Sequence, residues 1–211
     1  MNKELFVEEL VKLNINLSEQ QLNQLDKFYK LLIEWNEKIN LTRITEYEDV
    51  YLKHFYDSLT ITKVVDLSQK ETLCDVGTGA GFPGIVLKIV YPNLKITLVD
   101  SLQKRVNYLN TIIKELGLTN IVAIHSRGED FKEKFDVVTA RAVANIEKLL
   151  GYTMHLVNDD GTFVAMKGNI DNELTELVLK KINKKYEITN IEQFLLPIEN
   201  STRSLVVIKN K

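Results

Sequence analysis

The chain has 211 residues, 45% of them hydrophobic and 27% charged, with a formal net charge of −2. This suits one catalytic domain plus an appendage and argues against a disordered chain, while the near-neutral balance requires any polyanion partner to meet a local basic patch. A single cysteine, Cys74, excludes an intramolecular disulfide and a Cys-rich zinc site, and His54, His125 and His155 form no metal-ligand spacing. With neither a signal-peptide core nor an apolar run long enough to span a bilayer, the chain is expected to be cytoplasmic, off the membrane and metal-free.

In chain order, a short helix is predicted from Lys3 to Leu13. Between Ser18 and Ile39, Leu22, Leu25, Phe28 or Tyr29, Leu32, Trp35 and Ile39 recur every three or four positions, the period of an amphipathic helix. Ser18 and Gln21 stand at capping-box spacing before it. Glu46 to Thr62 reads as one or two further helices, so residues 1–65 are expected to form a helical N-terminal extension.

From Glu71 the pattern changes to short apolar runs alternating with helical segments. Strands are predicted at 71–76, 95–100, 121–125, 135–140 and 161–167, with helices at 83–91, 102–115, 145–157 and 170–184. This alternation predicts a mainly parallel sheet covered on both faces, an α/β Rossmann-like domain over 66–211. Two last β-like runs, Tyr186 to Leu195 and Arg203 to Lys209, have no helix between them and read as a closing antiparallel hairpin.

The first strand runs into Asp75-Val-Gly-Thr-Gly-Ala-Gly-Phe-Pro-Gly84, where closely spaced glycines let backbone approach a ligand and Pro83 suits the first turn of a helix. Two templates fit. Gly79 to Gly84 satisfies the dinucleotide pattern G-x-G-x-x-G, and Asp75 to Gly81 satisfies the acidic-x-G-x-G-x-G pattern of S-adenosylmethionine enzymes. A pyrophosphate favours a helix N-terminus, whereas a sulfonium and an ammonium gain from a carboxylate such as Asp75. Asp100, at the end of the next strand, has the spacing of an acid that bonds ribose hydroxyls and serves either cofactor. The carboxylate before the glycines and the terminal hairpin favour a methyltransferase, acting on rRNA or, as the runner-up, on another RNA or a small molecule, with a nicotinamide-dependent dehydrogenase and a non-catalytic RNA-binding module as the other readings.

The acceptor side lies after the fourth strand, in Phe135-Asp-Val-Val-Thr-Ala-Arg141-Ala-Val-Ala-Asn145. It lacks the Asn/Asp-Pro-Pro-aromatic signature of amino-group methyltransferases and any cysteine for a covalent adduct; Cys74, inside the first strand, reads as a core residue. Arg141 offers a planar fork of donors suited to phosphate, carboxylate or guanine O6. Guanine N7 is already a lone-pair nucleophile, so the absence of an evident general base fits that acceptor.

Several strings together resemble one family: Trp35 to Thr42, His54-Phe-Tyr-Asp-Ser-Leu59, Asp75 to Gly84, Asp100-Ser-Leu-Gln-Lys-Arg105, Arg141-Ala, and Arg203 to Lys209. The chain is similar to the bacterial small-subunit ribosomal RNA guanine-N7 methyltransferases of the G type, also called glucose-inhibited division protein B. The resemblance implies methyl transfer from S-adenosylmethionine to N7 of one guanine in the 530 loop of 16S rRNA, on the small subunit; a monomer is the expected state. It implies cofactor contacts at Gly77, Phe82, Asp100, Gly128, Glu129 and Arg141; Asp75, Gly79, Ser101 and Leu102 complete the candidate cofactor residues. Gly128 stands where the family often has alanine. Arg141, His54 and Asp57 are the candidate catalytic residues, His54 and Asp57 sharing a helical face that is expected to help hold guanine. Lys104, Arg105, Arg141 and Lys167 are expected to form a cationic rim for rRNA phosphates.

Overall fold

The computed structural model describes residues 1–211. Asn2 caps helix α1 (Lys3–Val11) by accepting from the Leu5 amide. Helix α2 (Glu19–Ile39) opens on the expected capping box, Ser18 and Gln21 each accepting from the other's amide, and Asn40 closes it in the left-handed conformation. The Gln21 amide group also donates to the carbonyls of Ile89 and Val90, so the same residue that starts α2 ties it to a distant helix end. A third helical stretch follows as α3 (Tyr47–Val50), a π-helical turn over Tyr51–Tyr56, α4 (Asp57–Leu59) and a 3-10 turn over Thr60–Lys63.

The rest alternates strand and helix: β1 (Thr72–Val76), α5 (Gly84–Val90), β2 (Lys95–Asp100), α6 (Gln103–Glu115), β3 (Ile121–His125), β4 (Phe135–Arg141), α7 (Ile146–Thr153), β5 (Val157–Lys167), α8 (Glu176–Ile182), β6 (Tyr186–Leu195) and β7 (Thr202–Asn210). They build one seven-stranded sheet in the order β3-β2-β1-β4-β5-β7-β6. The first five strands run parallel, and β7 inserts antiparallel between β5 and β6, which is the predicted terminal hairpin. The order reverses between β1 and β4, so ligand clefts are expected at the C-terminal ends of those strands.

One apolar cluster runs without a break from Phe6, Leu25 and Phe28 to Ile85, Leu98, Tyr108 and Ile112, so the helical extension shares its core with one face of the sheet. A second cluster, including Val138, Leu149, Leu150 and Phe163, fills the other face. Two boundaries differ from expectation. Strand β5 begins at Val157, four residues early, because Asn158 to Gly161 form an irregularity inside the strand and not a loop before it; the pairing register shifts there between Phe135 and Val137. The helix predicted over 170–184 is confined to α8, since Asn169 takes the Asp171 amide into a turn and Thr175 caps a fresh start.

Candidate functional site

The glycine loop leaves β1 with the Gly77 and Thr78 amides donating to Val99 O at 2.8 and 3.2 Å. Gly77, Gly79 and Gly81 have φ of 72°, 59° and 93°, the left-handed region that a side chain opposes. Two strand-end carboxylates brace this path. Asp75, fully buried, accepts at Oδ2 from Thr78 Oγ1 at 2.7 Å and from the Gly84 amide at 2.8 Å, and its Oδ1 has no partner. Burial pushes its carboxyl pKa up to about 6. Asp100 accepts from the Gly79 and Leu102 amides, both at 2.9 Å, and pairs with Arg105 at 3.4 Å. The sequence places these acids on the cofactor; in the structure their bonds run to the loop itself, where the Gly79 and Gly84 amides take side-chain acceptors while Gly77, Thr78, Gly81 and Phe82 donate to backbone carbonyls.

Beside the loop lies a cavity of about 360 Å³ whose lining includes Gly77, Ser101, Leu102, Gly128 and Glu129. A Cβ on Gly77 would lie 2.7 Å from Val143 Cγ2, and one on Gly128 would lie 2.8 Å from Val76 Cγ1, so the walls close around bare backbone at both points. An exposed carboxylate at Glu129, apolar Leu102 and Val143, and side-chain-free backbone at Gly77 and Gly128 fit a nucleoside cofactor. Of the candidate cofactor residues, Ser101, Leu102, Gly77, Gly128 and Glu129 share this cavity. Gly79, Asp75 and Asp100 stand behind it as its frame. Val143 and Tyr152 also line the cavity but were missed, since an isolated valine in a loop and a tyrosine on α7 carry no motif.

A second cavity, of about 440 Å³, opens where β4, β5 and β7 meet the third helical stretch. Arg141, at the end of β4, is its organising residue. Its guanidinium donates to Asp57 Oδ2 and Lys53 O, each at 2.9 Å, and to His54 Nδ1 at 3.1 Å, and lies over the Phe82 ring at 5.2 Å. Asp57 gives its other oxygen to Arg203 Nε at 3.0 Å, so one buried carboxylate holds two guanidinium groups. Because arginine only donates, His54 Nδ1 must accept, and its proton sits on Nε2, which donates to Thr42 Oγ1 at 3.0 Å. Burial and the Arg141 charge push the His54 pKa down to about 3, so the ring is neutral.

These contacts change the roles expected of three residues. His54 has both ring nitrogens engaged, and buried Asp57 is paired with a guanidinium at each oxygen, so the contacts both make in this structure hold Arg141 in place. Phe82 packs against His54 at a centroid distance of 4.4 Å and 16° interplanar angle, inside the helical contact and not on the nucleoside cavity. Cys74 is buried in β1, where burial raises its thiol pKa well above the usual value, as suits a core residue.

The cationic rim is only partly assembled. Lys104 is exposed on the first turn of α6, whereas half-buried Arg105 pairs with Asp100. Lys167 is drawn inward: it donates to Ala144 O at 2.6 Å and pairs with Glu173 at 2.9 Å, its side chain 10% exposed. It belongs to the wall of the larger cavity and not to an exposed rim.

A doubly wound sheet with an inserted antiparallel strand, a braced glycine loop and a nucleoside-sized cavity at the switch point define a class I S-adenosylmethionine-dependent methyltransferase. Solved structures with this fold include the M. jannaschii TYW2 complex with AdoMet (TM-score 0.53, 19% identity, 68% of this chain and 71% of that one). The ribosomal protein L11 methylase of Lactobacillus delbrueckii subsp. bulgaricus is another (TM-score 0.57, 17% identity, 80% and 81%). Within this class the chain belongs to the GidB family, rRNA small subunit methyltransferase G, whose profile matches residues 21–205. The ribosomal RNA small subunit methyltransferase G of Exiguobacterium sibiricum is 46% identical over 220 residues, covering all of this chain and 92% of the relative. That of a Geobacillus species is 48% identical over 202 residues, covering 92% and 85%.

Proposed function

We propose that this chain acts as a cytoplasmic monomer that transfers the methyl group of S-adenosylmethionine to N7 of one guanine in the 530 loop of 16S rRNA, on the small ribosomal subunit. The observation that carries this reading is Arg141, which stands in the wall of the larger cavity and is two residues from Val143 in the wall of the nucleoside cavity. A cation at that junction suits an electron-rich acceptor such as guanine, and family membership supports an rRNA substrate.

The residues divide the work. Gly77, Ser101, Leu102, Gly128 and Glu129 would hold S-adenosylmethionine, and Asp75 adds negative charge behind the glycine loop. Bound there, the cofactor supplies an electrophilic methyl group on a sulfonium. Arg141, held from three sides and seated on Phe82, keeps a fixed orientation while its remaining N–H groups stay free to bind an acceptor. His54 and Asp57 are engaged in holding Arg141, and N7 needs no base because it has no proton to lose. Rate then comes from alignment and from excluding alternatives, with Arg141 fixing the angle of approach.

The test is a map of N7-methylguanine in 16S rRNA from cells lacking this gene. One modification should disappear, return with the wild-type gene and stay absent with Arg141→Ala; an unchanged map overturns the rRNA assignment. Calorimetry on the purified protein should show S-adenosylhomocysteine binding and no NAD(H) binding, which separates the methyltransferase from a dehydrogenase.

A further inference from the structure

The larger cavity contains two carboxylates that differ in exposure and in the charge of their partners. Asp57 is engaged by guanidinium groups at both oxygens and its side chain is 9% exposed. Glu173 accepts from Lys167 Nζ at 2.9 Å through Oε1 and from the Ile146 amide at 3.0 Å through Oε2, yet its side chain is 24% exposed and lines the cavity. A carboxylate oxygen has two acceptor sites. Each Glu173 oxygen carries one such bond and keeps acceptor capacity, on a carboxylate that reaches the cavity and is held by β5 and the start of α7. Lys167 Nζ, beside it, uses two of its three donors, on Glu173 and Ala144 O.

This order of groups, a cation next to a paired acceptor, has a counterpart in guanine. Along its Watson–Crick edge guanine presents O6, N1–H and N2–H: one acceptor, then two adjacent donors. Adenine presents a donor at N6 and an acceptor at N1, which would face Glu173 with like polarity. Binding by this edge also leaves N7, on the imidazole side of the base, clear of the recognition contacts. A cavity of about 440 Å³ lies within the size range of small-ligand sites, about 300–1,000 Å³, and RNA-modifying enzymes take single bases out of the stack.

We propose that the target base enters this cavity and that Glu173 is its specificity-determining residue, its two oxygens accepting from guanine N1–H and N2–H while Lys167 donates to O6. The inference rests on the reading of the chain as a guanine-N7 methyltransferase. It assigns Glu173 a role beyond the one visible in its contacts, which is to anchor the first amide of α7.

The test compares small subunits reconstituted with guanosine or with inosine, which lacks the N2 amino group, at the nucleotide the wild-type enzyme methylates. Wild type should prefer guanosine by about tenfold or more in kcat/KM, because an unmade contact leaves Glu173 facing nothing. Glu173→Gln should lower kcat/KM on guanosine by about tenfold or more and bring the guanosine-to-inosine ratio close to one, with S-adenosylhomocysteine binding unchanged by calorimetry. A residue that only anchored α7 would lower turnover on both substrates and keep the ratio. Equal rates of wild type on both substrates, or a full ratio in the variant, overturn the assignment while guanine methylation stands. Absence of N7 methylation by wild type overturns the function itself and this inference with it. Should the Gln variant fail to fold, the wild-type comparison still decides whether N2 is read.

Discussion

Asp75 and His54 are buried titratable residues near the glycine loop, and they act on stability with opposite signs. Burial lifts the Asp75 carboxyl from 3.8 to about 6, so between those values the folded chain keeps a proton that the unfolded chain has lost, and stability falls as pH rises. Burial and Arg141 push His54 from 6.5 to about 3, so the unfolded chain binds the extra proton there, and stability falls as pH drops. Where the windows overlap the slopes cancel, each being of the order of 1.4 kcal/mol per pH unit. Asp75→Asn, which keeps an acceptor for Thr78 and Gly84, should therefore gain stability relative to wild type as pH rises through that overlap. His54→Gln should lose it. Urea unfolding of both variants across the overlap checks this, and a pH-independent difference from wild type in either case contradicts the assignment. Asp57 offers a simpler test. Asp57→Ala leaves Arg141 and Arg203 without their shared carboxylate and should lower unfolding free energy by about 3–5 kcal/mol, the cost of breaking a buried pair from one side.

Helix α5 can approach β1 and β2 this closely because its first residue has no side chain. A Cβ on Gly84 would stand 2.2 Å from Leu98 Cδ2 and 2.9 Å from Asp75 Oδ2, so Gly84→Ala must displace either the strand residue or the carboxylate that ties the loop. Chemical denaturation should show a loss of about 1–3 kcal/mol, the usual cost of overpacking a core, together with weaker S-adenosylhomocysteine binding; an unchanged midpoint would mean that α5 can shift freely. The order of elements was legible because period and turn chemistry agree locally, as in the Ser18–Gln21 box and the alternating runs from β1 to β4. Misplaced boundaries arose where local signals name a turn but tertiary pairing decides. Asn158-Asp-Asp160 falls between the predicted helix and strand, yet it lies within β5 between its pairing partners. The site was legible in membership and not in contact. Asp57, His54 and Arg141 could be named from sequence, but their mutual bonds join residues 84 and 87 positions apart. Glu173 belongs to no quoted motif, and only the fold brings it to Lys167.

At the scale of the molecule, the helical extension and the sheet share one core, so the helices that hold Arg141 are fixed by the same packing that positions the glycine loop. Electrostatics do not follow this unity. With a formal net charge of −2, the protein presents no overall attraction to RNA, and its cations differ in what is left of their charge. Arg141 and Arg203 share Asp57, Lys167 is neutralised by Glu173, and Arg105 is turned toward Asp100. Lys104, exposed on α6 beside the nucleoside cavity, is the member of the expected rim best placed to neutralise a phosphate. A phosphate contact releases condensed counterions, so Lys104→Ala should weaken rRNA binding and reduce the slope of log K against log salt by about 0.7–0.9. Lys167→Ala should leave that slope unchanged while lowering turnover, since its charge is spent inside the cavity wall. Filter binding of small-subunit RNA over a potassium chloride series separates the two, and a slope that responds to Lys167 but not to Lys104 would move the phosphate contact from α6 to the mouth of the larger cavity.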